Sequence, residues 1–159
     1  MKIVELFTEA FKHRKKPSCM TLSKQLDEHE HAEIMAFSGK KWFDIDVKLL
    51  EENFEVINWL SPEAFCYFLP GICCAGIKEN SSELIIYDSI INMLDRSPEP
   101  TYWDSFFLSR WPLLHKDECK AVQEWVLWLS INNSFYSGSV ITRALETLDL
   151  VKQGITTFR

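Results

Sequence analysis

An all-α fold, built as one compact bundle of about six to eight helices, is what this sequence predicts, and three observations predict it. Apolar residues recur at helical spacing along almost the whole chain, and no apolar/polar alternation of the kind a strand needs runs beyond five residues. With 159 residues, 47% hydrophobic and 13% aromatic, the chain has material for one sizeable core but not for two. A single helical domain over residues 1–159 follows, without internal repeats or low-complexity tracts.

Each element has its own signals. Ile3, Leu6, Phe7 and Ala10 follow the i, i+3, i+4, i+7 pattern, and His13-Arg14-Lys15-Lys16 places cations at the negative end of the helix dipole, so a first helix is expected over residues 2–15, stopped by Pro17. The polar, weakly helical stretch Leu26 to Phe37 is broken by Ser38-Gly39-Lys40-Lys41. Val47, Leu50, Phe54 and Ile57 share a stripe that Glu51, Glu52 and Glu55 avoid, which predicts an amphipathic helix ending near Trp59 with an acidic outer face.

Ser61-Pro62-Glu63 is a strong start signal, since Ser accepts backbone N–H groups, Pro fits the first turn and Glu suits the dipole. Pro70 lies in the path of that helix. By removing a donor and crowding the carbonyl four residues back, it predicts an interruption or a kink between Pro62 and Ile77. Leu84, Tyr87, Ile91 and Leu94, with Ile86, Ile90 and Met93 beside them, leave little polar face and predict a central helix. Ser97-Pro98-Glu99-Pro100 is a loop, followed by a short aromatic helix from Tyr102 to Arg110. Cys119, Val122, Val126 and Leu129, widened by Trp125 and Trp128, give a helix from Lys116 to Ile131 ended by Asn132-Asn133. The series Ile141, Ala144, Leu145, Leu148 and Val151 gives the last, closed by Gly154.

Composition narrows the classes of function. Apolar runs such as Ile72 to Ile77 fall short of the roughly 18 residues that cross a bilayer, and Met1-Lys2-Ile3-Val4-Glu5 lacks the features of a secretory signal. Five cysteines, Cys19, Cys66, Cys73, Cys74 and Cys119, are odd in number and form no Cys-x-x-Cys pair, which fits a reduced compartment and a cytoplasmic protein without a zinc site. The Cys73-Cys74 pair and Cys66 have apolar neighbours and read as packing groups. Gly-x-Ser-x-Gly and phosphate-cradling glycine motifs are absent. The tryptophans offer stacking surfaces, yet a net charge of -6 opposes a nucleic-acid backbone, and core packing explains most of them. No cofactor is implied.

Two clusters could carry chemistry. Asp27-Glu28-His29-Glu30-His31 with Glu33 is the richest set of metal ligands or proton carriers, though it reads more simply as a solvated polar face. Asp44 and Asp46, flanked by Trp42, Phe43 and Ile45, would serve acid–base catalysis if their surroundings differed, while Asp46 is also well placed to cap a helix at Val47. The division of charge favours binding over catalysis. Residues 1–40 carry 7 cations and 6 acids, residues 41–104 carry 4 and 12, and residues 105–159 carry 6 and 5, so the middle segment holds the excess. Asp44, Asp46, Glu51, Glu52 and Glu55 are therefore the expected contact residues for a basic protein partner.

The stretch Leu60-Ser61-Pro62-Glu63-Ala64-Phe65-Cys66-Tyr67-Phe68-Leu69-Pro70, preceded by Trp42 and Leu49-Leu50, resembles an uncharacterised family of small bacterial helical proteins with a Leu-Ser/Thr-Pro-Glu-Ala-Phe-x-Tyr-x-Leu-Pro signature. Gln123 to Leu129 fits the same pattern, and the matching parts cover about two thirds of the chain. Capping, a helix bend and packing explain the signature, which therefore speaks for fold. In size, acidity and lack of catalytic apparatus the chain also looks like the immunity proteins of bacterial polymorphic toxin systems, including contact-dependent growth inhibition. That resemblance implies a cytoplasmic 1:1 complex with a cognate toxin domain, a basic ribonuclease foremost, whose active site it would cover, without contact to nucleic acid or membrane. A general adaptor protein and a small enzyme using Asp44, Asp46 or the His29/His31 cluster are the alternatives.

Overall fold

The computed structural model describes residues 2–154, and among these every regular element is helical. Met1 and residues 155–159, part of the expected 1–159 domain, lie outside the described residues. Eight α-helices follow in order, α1 (Lys2–Ala10), α2 (Glu28–Phe37), α3 (Val47–Glu52), α4 (Pro62–Lys78), α5 (Ile85–Leu94), α6 (Ser105–Leu108), α7 (Lys116–Asn132) and α8 (Gly138–Lys152). Short 3₁₀ turns at Trp42–Asp44, Val56–Asn58, Pro100–Tyr102 and Trp111–Leu113 link them. One continuous cluster of buried apolar residues runs from Phe7 to Val151. No helix among the described residues is long and apolar enough to cross a membrane.

The middle of the bundle is α4, not α5. Every residue of α4 from Ala64 to Gly76 is buried, against α1, α3, α7 and the turns at Trp42–Asp44 and Trp111–Leu113. By contrast α5 buries only one side, and Ile85 and Asn92 face solvent. The long α7 packs along both α8 and α1, and α8 in turn covers α5.

Of the two outcomes expected at Pro70, an interruption or a kink, the interruption does not occur; α4 is continuous from Pro62 to Lys78. Proline in a helix interior costs about 3 kcal/mol, and burial on every side outweighs it here. Two glycines allow that enclosure. A Cβ on Gly71 would overlap the Trp42 carbonyl oxygen, and one on Gly76 would overlap the Ser81 carbonyl and the Tyr87 hydroxyl. That hydroxyl accepts the Gly76 N–H (2.9 Å) and donates to the Ile72 carbonyl (2.8 Å), bridging two groups that the helix would otherwise pair directly. Burial holds the phenol well above its ordinary pKa, which keeps it a donor. Beyond Lys78, Asn80 takes a left-handed conformation (φ 53°) and Ser81 N–H returns to the Gly76 carbonyl (2.7 Å), closing the helix.

Three helices are shorter than expected from the sequence. α1 ends at Ala10, where the chain passes into a turn closed by Arg14 N–H on the Phe11 carbonyl (3.0 Å), and the Arg14 side chain pairs with Glu118. α3 ends at Glu52 because the Asn53 side-chain amide donates back to the Leu49 carbonyl (2.9 Å), and Glu55 N–H donates to the Glu33 carboxylate (3.1 Å). The expected helix from Tyr102 to Arg110 resolves into the turn at Pro100–Tyr102 and the four-residue α6, capped by Asp104 through Phe107 N–H (2.8 Å).

Candidate functional site

Of the predicted contact residues, Asp44, Asp46, Glu51 and Glu52 lie on a rim carried by α3 and the turn before it, and Glu55 lies beyond the end of α3. Trp42 is seated against Gly71 of α4, and its N–H donates to the Tyr67 hydroxyl (3.3 Å). Asp46 caps α3 as expected, accepting Leu49 N–H (2.8 Å), and the Glu79 carboxylate accepts Val47 N–H (2.8 Å). The first turn of α3 is thus satisfied by two carboxylates from different parts of the chain. The Lys78 ammonium donates to the Phe43 carbonyl (3.3 Å), which ties the rim to the end of α4.

On this mount Asp44, Asp46, Glu51 and Glu52 are exposed and Glu55 is half-buried. Beside Asp44 the Phe43 ring stands 53% exposed, with the Lys41 ammonium 5.6 Å from its centroid. Lys48 lies 4.0 Å from Glu52, so the rim is acidic on balance rather than uniformly. Asp44 and Glu51 take part in no ion pair among the described residues. Acid–base catalysis needs two carboxyls in different surroundings. Asp44 and Asp46 are both open to water, and Asp46 is occupied as the α3 cap.

Several other acids of residues 41–104 are engaged elsewhere in the fold. Glu63 clasps the N–H groups of Ser18 and Cys19 (3.0 Å to the latter) and the Ser18 hydroxyl, and these bonds hold its carboxyl below the usual glutamate value. Asp95 pairs with Arg143 (2.5 Å), and Asp104, besides capping α6, pairs with Arg96 (3.1 Å). Asp88 accepts the Tyr136 hydroxyl. A charge sum taken along the chain therefore overstates the free acidity, because Arg143, outside the segment, neutralises part of it.

The histidine-rich cluster comes apart in the same way. Asp27 and Glu30 form a reciprocal cap for α2 (2.8 and 3.1 Å), while Glu28, His29 and His31 face solvent. Glu33, expected on the solvated face, is instead 1% exposed and accepts Trp59 Nε1–H (3.0 Å) as well as Glu55 N–H. Among the described residues no group of three or more His, Cys, Asp or Glu side chains is placed to hold a metal ion. Burial pushes the Cys66, Cys74 and Cys119 thiols up to about 12 and Cys73 well above its ordinary value, so all four are packing groups at neutral pH.

Glu118 is the second buried acid that the sequence did not reveal. Its carboxylate takes a bidentate pair from Arg14 (2.7 Å on each oxygen) and the His115 N–H (2.7 Å). The hydrogen bond to Glu118 raises the Arg14 pKa above its already high ordinary value. The only sequence signal for Glu118 is its place in the first turn of α7, and nothing local points to Arg14, 104 residues away.

Polar groups of the Leu60–Pro70 stretch also have structural partners. Ser61 caps α4 through Ala64 N–H (3.1 Å) and donates to the Cys19 carbonyl (2.6 Å), and the Leu60 carbonyl accepts from Arg110 (2.9 Å). Comparison with protein-family models, with curated proteins and with solved structures returns no match.

Proposed function

We propose that this chain is a protein-binding module that acts as an immunity protein, gripping a basic toxin nuclease domain with the α3 rim and covering its active site. One observation carries the reading. Asp44, Glu51 and Glu52 stand on open surface, with the half-exposed Phe43 ring next to Asp44 and tied to α4 through Lys78, whereas Glu63, Asp95 and Asp104 of the same segment are occupied by backbone N–H groups or ion pairs. Exposed carboxylates around an aromatic side chain suit a partner with lysine and arginine near an apolar spot, and a surface that binds phosphate on a nuclease is of that kind. The chain's resemblance in size and acidity to toxin immunity proteins supports the choice of partner.

The test is co-expression with the C-terminal domain of the reading frame directly upstream. A 1:1 complex that weakens with salt, together with protection of cells from that domain, is the expected result. Replacing Glu51 and Glu52 by lysine should slow association about tenfold, since rim charges act mainly on the encounter rate. Absence of both binding and protection removes the proposal. Binding without protection would favour an adaptor role.

A further inference from the structure

The turn from α7 into α8 displays apolar side chains that the helical pattern does not account for. Ile131, in the last turn of α7, is 81% exposed and Phe135 is 83% exposed, while Leu127, one helical turn before Ile131, is also exposed. Ile85, on the first turn of α5, adds a side chain 58% exposed, one turn from Asp88.

This display is held in place. The Ser82 hydroxyl donates to the Asn132 carbonyl (2.9 Å), and the Asn133 amide donates to the Ser82 carbonyl (3.0 Å). The Asn133 side-chain oxygen accepts Phe135 N–H (2.9 Å), and the Tyr136 hydroxyl donates to Asp88. Between the two segments opens a pocket of about 250 Å³, lined by Glu83, Asp88, Asn133 and Phe135. Neither carboxylate has an ion-pair partner among the described residues.

We propose that this pocket docks a protein segment in which a lysine or arginine stands next to an aliphatic or aromatic residue. Charge complementarity selects the cation, which would lie between the Glu83 and Asp88 carboxylates and against the Phe135 ring. The pocket is smaller than the roughly 300 Å³ at which small-molecule clefts begin, and so suits one side chain. The neighbouring apolar residue would cover Ile131, which nothing within the described chain does. A second copy of this chain is disfavoured because it would bring like-charged pockets together. The inference does not rest on the toxin reading, since it uses none of the α3 residues.

The probe is a short Gly-Ser-flanked peptide with the core Leu-Arg-Leu-Lys, titrated into the isotope-labelled full-length chain and followed by amide chemical shifts. Shifts centred on Glu83, Asp88 and Phe135, absent with a Leu-Glu-Leu-Glu control, are the expected result. Phe135→Ser and Glu83→Lys should each weaken binding about fivefold to tenfold while leaving the melting temperature unchanged, both positions being exposed. Three outcomes would overturn the proposal, namely no shifts at about 1 mM peptide, an equal response to the acidic control, or shifts confined to other surfaces. Dilution-dependent shifts at Phe135 without any peptide would overturn it too, because a second copy would then cover this face.

Discussion

Two sets of carboxylates in this protein look alike in the sequence and do opposite things. Glu33 and Glu118 are each 1% exposed, and each joins segments far apart in the chain, Glu33 with Glu55 and Trp59, Glu118 with Arg14. Asp44, Glu51 and Glu52 are open to solvent, and among the described residues the only ion-pair partner of any of them is Lys48, 4.0 Å from Glu52. A buried carboxylate must be fully hydrogen-bonded or it destabilises the fold, so Glu33 and Glu118 serve the structure. An exposed one adds little to folding and is free for a partner. The difference shows that the position of an acid relative to the core, not its place in an acidic run, separates the two uses.

Five variants would sharpen or break this contrast. Glu118→Ala should have the largest effect, about 3 kcal/mol off the unfolding free energy in urea, because it leaves the partly buried Arg14 guanidinium without its bidentate partner. A loss near zero would place Glu118 with the exposed acids. Glu33→Ala should cost about 2 kcal/mol by stranding Trp59 Nε1–H and Glu55 N–H, and Glu33→Gln, which keeps an acceptor oxygen, should recover part of it.

Glu63 is the intermediate case, exposed yet fully engaged. Its folded pKa is held below the ordinary 4.5, chiefly by the Cys19 N–H, so the stability it contributes is present above that value and is lost as the pH falls through the folded pKa. Glu63→Gln should therefore flatten the fall of melting temperature below pH 4.5, and an unchanged profile would show that the clasp on Ser18 and Cys19 does not contribute. The smallest effect on folding is expected from the double lysine replacement of Glu51 and Glu52, within about 0.5 kcal/mol, despite its effect on association. A loss comparable to that of Glu33→Ala would mean that α3 depends on these acids and is not a free rim.

Much of the fold was legible because helical periodicity and caps are local. Ser61 before Pro62 and Asp46 before Val47 mark starts that the structure keeps, and the apolar stripe of residues 116–131 matches α7 to within a residue. The errors arose where a distant group decided the outcome. Pro70 predicts a break or a kink by its own chemistry, and the break does not occur because packing around α4 keeps the helix whole. Val47 to Ile57 shows one stripe, yet Glu33 from α2 draws off Glu55 N–H beyond the end of α3. Of the candidate rim, the exposure of Glu51 and Glu52 followed from the stripe, and the cap role of Asp46 from its place before Val47. The exposed Phe135 and Ile131 carried no signal, since an isolated aromatic after a helix reads like any core residue.

By itself the sequence determined the helical class, the order and approximate bounds of most helices, and the acidic character of α3, because backbone hydrogen bonding and side-chain period act over neighbouring residues. Only the tertiary structure decided which acids are buried, that α4 and not α5 lies at the centre, and that Glu83 and Asp88 share a pocket with Phe135. The physical reason is distance along the chain. Burial, ion pairing and pocket formation join residues tens of positions apart, and no local pattern records which of them meet.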